Sequence, residues 1–155
     1  MNLNRSSNHM LSVGLLFLFN LALFSTEYVW ANECPQNRIT ISAPKEFQGK
    51  VNPLRNEPRF VKKGKVLSHI KAKPIACKQC HGMEGNGQGA MAPNLNPKPR
   101  NFTCQQTMEQ ISDGQLFWII KNGSKGSSMP SYTHLSDRKI WQLIHYIRSL
   151  SEESS

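Results

Sequence analysis

The sequence predicts an all-α chain, and three observations carry that expectation. Residues 57–72 and 137–150 repeat apolar side chains at helical spacing, and residues 112–121 are framed by helix start and stop signals. No run of parallel-type strands is present. The one alternating stretch, Arg38-Ile39-Thr40-Ile41, suffices only for a short extended segment. The segments in between are rich in Gly and Pro, which act as joints.

The chain has 155 residues, enough for one domain once targeting residues are set aside. With 38% hydrophobic and 19% charged residues, it is neither disordered nor membrane-embedded as a whole. Three Trp and three Tyr make a modest core.

Residues 1–31 read as a secretory signal peptide. Arg5 charges its start, and Leu11 to Phe24 form an apolar run interrupted only by Ser12, Gly14 and Asn20. That run is short for a membrane span, which needs about 20 residues. Val29-Trp30-Ala31 places cleavage after Ala31; an uncleaved anchor is the alternative. Residues 32–56 form an extension broken by Pro35, Pro44 and Pro53, expected to wrap the domain as a loop.

The first helix, 57–72, has Pro58 near its start, where the missing N–H costs nothing. Phe60, Gly64, Leu67 and Lys71 share one face, flanked by Val61 and Ile70. A glycine inside a helix costs about 1 kcal/mol. Close crossing by another helix would offset that cost at Gly64, and the last helix is the expected partner. In the middle helix, 112–121, Ser112 is the expected N-cap and Gln115 its capping-box partner, with a left-handed cap at Asn122-Gly123. The last helix, 137–150, carries an apolar stripe of Ile140, Leu143, Ile144, Ile147 and Leu150, with Trp141 and Tyr146 beside it. Residues 151–155 read as a polar, frayed tail.

Chemistry enters at Cys77-Lys78-Gln79-Cys80-His81. C-x-x-C-H is the attachment signature of a c-type haem. Each thiol adds to one vinyl group of the porphyrin, and the two-residue gap lets both sulfurs reach one macrocycle. His81 follows directly and can ligate the iron. A zinc site would want a second Cys or His pair at fixed spacing, and none is present. A dithiol redox motif would want a βαβ setting.

Residues 82–103 are Gly- and Pro-rich, as a loop lying flat against a haem would need to be. The Pro93 carbonyl is a candidate acceptor for the Nδ1–H of His81; otherwise Pro93 is only a loop breaker. Met129, on the Gly/Ser loop before Pro130, is the expected distal ligand through its soft thioether. Met83, Met91 and Met108 are read as core filler. Cys34 and Cys104 remain, either as a disulfide or as two buried thiols. A disulfide here would stabilise by roughly 4 kcal/mol in the chain-entropy picture.

These features, in this order, resemble a class I c-type cytochrome over roughly residues 58–150. They are a first helix with Gly64, Cys77-x-x-Cys80-His81-Gly82, a loop with Pro93, a middle helix, Met129-Pro130, and a last helix with Trp141 and Tyr146-Ile147. The resemblance implies the cytochrome c fold, with N- and C-terminal helices crossing and one covalent haem c in the core. It carries Cys77 and Cys80 over as thioether sites, His81 as proximal ligand and Met129 as distal ligand. The cytochrome domain is then 57–150, preceded by an extension that the simplest members lack.

The formal net charge is +9, and removing residues 1–31 takes away one Arg and one Glu, leaving it unchanged. Two haem propionates would bring it to about +7. So basic a surface favours acidic redox protein partners, and nucleic acid is a poor candidate for an exported chain. The expected protein is therefore a periplasmic, non-enzymatic electron carrier. It would have no membrane span after signal cleavage, and be a monomer or a subunit of a redox complex. The alternatives are a haem subunit of a larger oxidoreductase, or a catalytic or sensory haem protein with an open distal site.

Overall fold

A computed structural model describes residues 34–152. The expected signal peptide and its cleavage site lie outside the described residues. Within them every regular element is helical, in the order α1 (Lys45–Gln48), α2 (Pro58–Val66), α3 (Lys78–His81), α4 (Gln105–Glu109), α5 (Asp113–Asn122) and α6 (Asp137–Glu152). No described helix is long and apolar enough to cross a membrane.

Pro58 opens α2, as its position predicts, and the helix continues through a wider π-helical turn, Leu67–Lys71. Two faces of the first helix part here. Leu67 is buried, whereas Ile70, read from the sequence as flanking the apolar face, is 67% exposed. α6 crosses α2 at Gly64. A Cβ there would overlap the carbonyl of Gln142 and lie 2.8 Å from Cβ of Tyr146. The helix-propensity cost of Gly64 is thus offset by an approach that any side chain would forbid.

The core forms along α6. Ile140, Leu143 and Ile144 are fully buried, and Met108 joins them from α4. Phe117 of α5 stacks on Trp141 with ring centroids 4.4 Å apart. Arg148 ties α6 to the α4–α5 corner: its guanidinium donates to Asp113 and to the carbonyls of Met108 and Ile111. α6 also runs past the expected end of the domain. Ser151, read as part of a frayed tail, is helical and buried, with its hydroxyl donating to the Arg148 carbonyl.

Both ends of α5 depart in detail from their sequence signals. Ser112 caps the helix by accepting the N–H of Gln115 at 3.1 Å. The Gln115 side chain does not reach back to complete the capping box. It is engaged by the extension instead, accepting from Ala43 N at 2.6 Å and donating to the Ile41 carbonyl at 2.9 Å. At the other end Gly123 has φ 80° and ψ 174°, which is more extended than a left-handed helical cap.

The extension forms no strand at Arg38–Ile41. It follows the domain surface through side-chain hydrogen bonds and the short helix α1. Phe47 of α1 stacks towards Phe117 at 6.1 Å, and a Cβ at Gly114 would overlap the Phe47 carbonyl. Asn52 then bridges to Asp113 and to the Trp141 carbonyl.

Candidate haem site

α3 is one helical turn, and Cys77 sits at its start. The N–H groups of Cys80 and His81 both donate to the Cys77 carbonyl, at 3.2 and 2.9 Å. This turn brings both thiols and the imidazole to one place, where they line a cavity of about 570 Å³ together with Met129. That volume falls within the range of small-molecule and cofactor sites. Leu116, Ile120, Leu143 and Ile147 supply apolar wall.

The His81 ring is held in two directions. Its Nδ1 donates to the Arg100 carbonyl at 3.0 Å, and its face stacks on Phe102 with centroids 4.3 Å apart and planes 15° apart. A donor at Nδ1 leaves the Nε2 lone pair for a metal. Burial pushes the His81 pKa down to about 4, against the raising effect of the Arg100 carbonyl and with help from the charges of Arg38 and Arg100. The imidazole is therefore neutral near pH 7, the form that ligates iron.

The Pro93 expectation is corrected by this geometry. Pro93 lies in the short turn Ala92–Asn94, does not line the cavity, and gives its carbonyl to the Lys98 ammonium at 2.9 Å. The residues just after His81 fold back on α3, with Gly89 N on the Cys80 carbonyl and Met91 N on the Gln79 carbonyl. Chain that reaches the imidazole arrives later, where Phe102 N donates to the Gly85 carbonyl at 2.7 Å. So the acceptor is Arg100.

Met129 is half-buried against the core and is the one described methionine that lines the cavity. Its loop is closed by Ser124 N donating to the Met129 carbonyl, and by Met129 N donating to the Ser127 hydroxyl. Of the other methionines, Met108 is core, as expected. Met83 and Met91 are 53% and 42% exposed, so they are not core filler.

Cys77 and Cys80 are free thiols. Burial raises the pKa of both, and at Cys77 it outweighs the lowering effect of hydrogen bonds from Ser68 and Tyr132. Dithiol redox catalysis draws on a lowered thiol pKa, which is the opposite arrangement. Tyr132 spans the same wall, its hydroxyl donating to the Ile75 carbonyl at 2.8 Å.

Two guanidiniums complete the cavity wall, Arg38 from the extension and Arg100. The Nε of Arg38 is buried without a hydrogen-bond partner. An orphaned buried cationic donor suits an anionic group inside the cavity. Thiols, neutral imidazole, thioether, apolar wall and cation together fit a covalent haem with its carboxylates.

The family comparison decides the identity. Residues 68–147, just over half of the chain, match the family model described as cytochrome C oxidase, cbb3-type, subunit III. The chain belongs to this family of class I c-type cytochromes. Among solved structures, the cytochrome is similar to a chain of the Kuenenia stuttgartiensis reducing HAO-like protein complex Kustc0457/Kustc0458, at 33% identity and a TM-score of 0.56. The match covers 63% of the cytochrome and 46% of that chain, so the cytochrome spans about half the length of its solved neighbour. No curated protein matches it.

The extension of the cytochrome lies outside the matched residues, yet it is bonded to the site. Cys34 and Cys104 form a disulfide with Cα atoms 5.4 Å apart, so the pair expected from the sequence does meet. Sequence reasoning missed Arg38, Arg100 and Phe102 as site residues. Arg38 sat in a stretch that alternates like a strand, and neither Arg100 nor Phe102 stands in any local pattern. Only the chain's return beside His81 makes them neighbours.

Proposed function

We propose that this cytochrome is an exported electron-transfer protein of the periplasm, carrying one haem c attached through Cys77 and Cys80. His81 and Met129 serve as axial ligands, and the protein performs no bond-making catalysis. One observation carries the reading: both thiols, a neutral imidazole and a single thioether line the same cavity. A haem held there supplies reversible one-electron Fe(III)/Fe(II) cycling. Cys77 and Cys80 would hold it as thioethers, each S–H adding across one vinyl group so that sulfur takes one carbon and hydrogen the other.

The residues then divide the work. The Arg100 carbonyl and Phe102 fix the orientation of the His81 ring. The Met129 thioether, a soft donor, favours the reduced state. The apolar wall excludes water and disfavours the extra positive charge of the oxidised state. Lys71, Lys73 and Lys125 are exposed and Lys78 is half-buried, which suits an acidic partner. Lys98, by contrast, is engaged at the Ala92 and Pro93 carbonyls.

A second reading keeps the same ligands but makes the chain a haem subunit of a larger oxidoreductase. It is favoured by the solved neighbour, which belongs to a protein complex and of which the match covers only 46%. Copurification from native periplasm or membranes separates the two.

The test is the absorption spectrum of the oxidised protein, extended to the weak sulfur–iron charge-transfer band in the far red. The band is expected in the wild type and should vanish in Met129→Ala. A high-spin wild-type spectrum that shifts when carbon monoxide is added after reduction would mean an open site, and a catalytic or sensory protein instead.

A further inference from the structure

We propose that the N-terminal extension is part of the haem pocket, and that Arg38, pinned there by the Cys34–Cys104 disulfide, pairs with a haem propionate. The inference rests on the haem reading above. It goes beyond the family match, which begins at residue 68 and leaves the extension out.

Three independent observations converge on Arg38. The first is placement. Pro35, Gln36, Arg38 and Thr40 line the same cavity as Cys77, His81 and Met129. The disulfide anchors the segment at Cys34, and Gln36 clamps it further by donating to the Pro99 carbonyl and accepting from Asn101 N. Arg38 is thus held from its N-terminal side, and Thr40, accepting from Arg100 Nη2 at 2.8 Å, holds the chain beyond it.

The second is unmet valence. Arg38 gives Nη1 to the Lys98 carbonyl, but its Nε is buried with no acceptor. Leaving a buried guanidinium donor unpaired is costly, and a carboxylate is the group that a guanidinium matches best.

The third is charge. Arg100 lines the same wall and donates to Thr40. No carboxylate of the described residues forms an ion pair with either arginine. Two like charges in one half-buried wall favour an anion, and the described residues supply none. A haem brings two carboxylates, which would neutralise the pair.

The experiment uses the reduced holoprotein, which is diamagnetic with His/Met ligation, with nitrogen-15 in its arginines. A cross-relaxation peak from the Arg38 Nε–H to a propionate methylene is expected. Its absence in a haem-bearing protein overturns the inference alone. Absence of covalent haem overturns the functional reading and this inference with it. Removal of the charge gives a second readout. Arg38→Gln should lower the equilibrium constant for reduction by up to about tenfold, or about 59 mV for a one-electron couple. Arg38→Lys should recover most of that shift, and the exposed Arg55→Gln should show none. A potential unchanged in Arg38→Gln, with the far-red band intact, would reduce Arg38 to a structural clasp.

Discussion

Gly64 of α2 lies directly against the backbone carbonyl of Gln142 in α6, with no room between them for a Cβ. The contact decides the sign of a simple substitution. Alanine would gain about 1 kcal/mol of helix propensity. Forcing the helices apart should cost more, because overpacking of this kind typically costs 1–3 kcal/mol and the obstacle is backbone. Gly64→Ala is therefore expected to be net destabilising by about 1–2 kcal/mol in guanidinium unfolding of the holoprotein. A stabilised variant would show that the two helices can separate freely.

The Cys34–Cys104 disulfide closes a segment of 70 residues. Replacing both cysteines by serine should cost about 4 kcal/mol, mainly by freeing the unfolded chain. Denaturant curves with and without reductant would measure it. A loss under about 1 kcal/mol would mean that the clasps of Gln36 and Gln115 hold the extension without it.

Arg148 holds a corner of three elements through four donations. Arg148→Ala would leave the carbonyls of Met108 and Ile111 without this donor and Asp113 without its cation. The expected cost is about 2–4 kcal/mol. Arg148→Lys should recover only part, since one ammonium cannot span all three acceptors. Equal stability of the two variants would contradict a geometric role for the guanidinium fork.

His69 is buried and its Nε2 pairs with the Tyr146 hydroxyl at 2.9 Å. Burial first, and the cations of Lys65 and Lys78 next, lower its pKa, while the Met83 carbonyl and Glu84 act the other way. The folded state thus prefers the neutral ring more than the unfolded state does. Stability from this group is present above the unfolded value of about 6.5 and is lost as pH falls below it. His69→Gln should flatten that part of the stability–pH curve. An unaltered slope would assign the acid sensitivity elsewhere.

If acidic partners dock at Lys71, Lys73 and Lys125, electron transfer to them should slow as ionic strength rises. Stopped-flow rates from low to physiological salt would check this, and a charge reversal at Lys73 should shrink the dependence. A rate indifferent to salt would count against basic docking.

The helices were legible because their signals are local. Pro58, Ser112 and the α6 stripe each act within a turn or two, and the Gly64 crossing followed from one unexplained cost. Within the site, Cys77, Cys80 and His81 share a single helical turn, so adjacency in sequence became adjacency in space. Met129 was legible through the chemistry of its thioether on an otherwise polar loop. What failed was long-range. Which carbonyl meets His81 depends on how residues 82–100 fold back, and the loop turns past Pro93 before Arg100 arrives. Gln115 has the right spacing for a capping box, yet the extension competes for its side chain and wins. Arg38 could not be assigned from its neighbours, because its surroundings come from residues 77–100 and from a disulfide whose two cysteines are 70 residues apart.

If haem is attached as proposed, the four cysteines of this chain would end in two different oxidation states, a consequence that concerns maturation rather than the finished fold. Of the single disulfides that four thiols allow, only Cys34–Cys104 leaves Cys77 and Cys80 both available. The oxidant that joins Cys34 to Cys104 must spare two thiols that sit side by side in one helical turn. Burial helps, since a raised thiol pKa keeps the reactive thiolate scarce and slows exchange. On the proposed attachment, sorting would be complete only when both remaining sulfurs are capped as thioethers, so the order of oxidation and haem capture would decide how much newly made chain becomes useful protein.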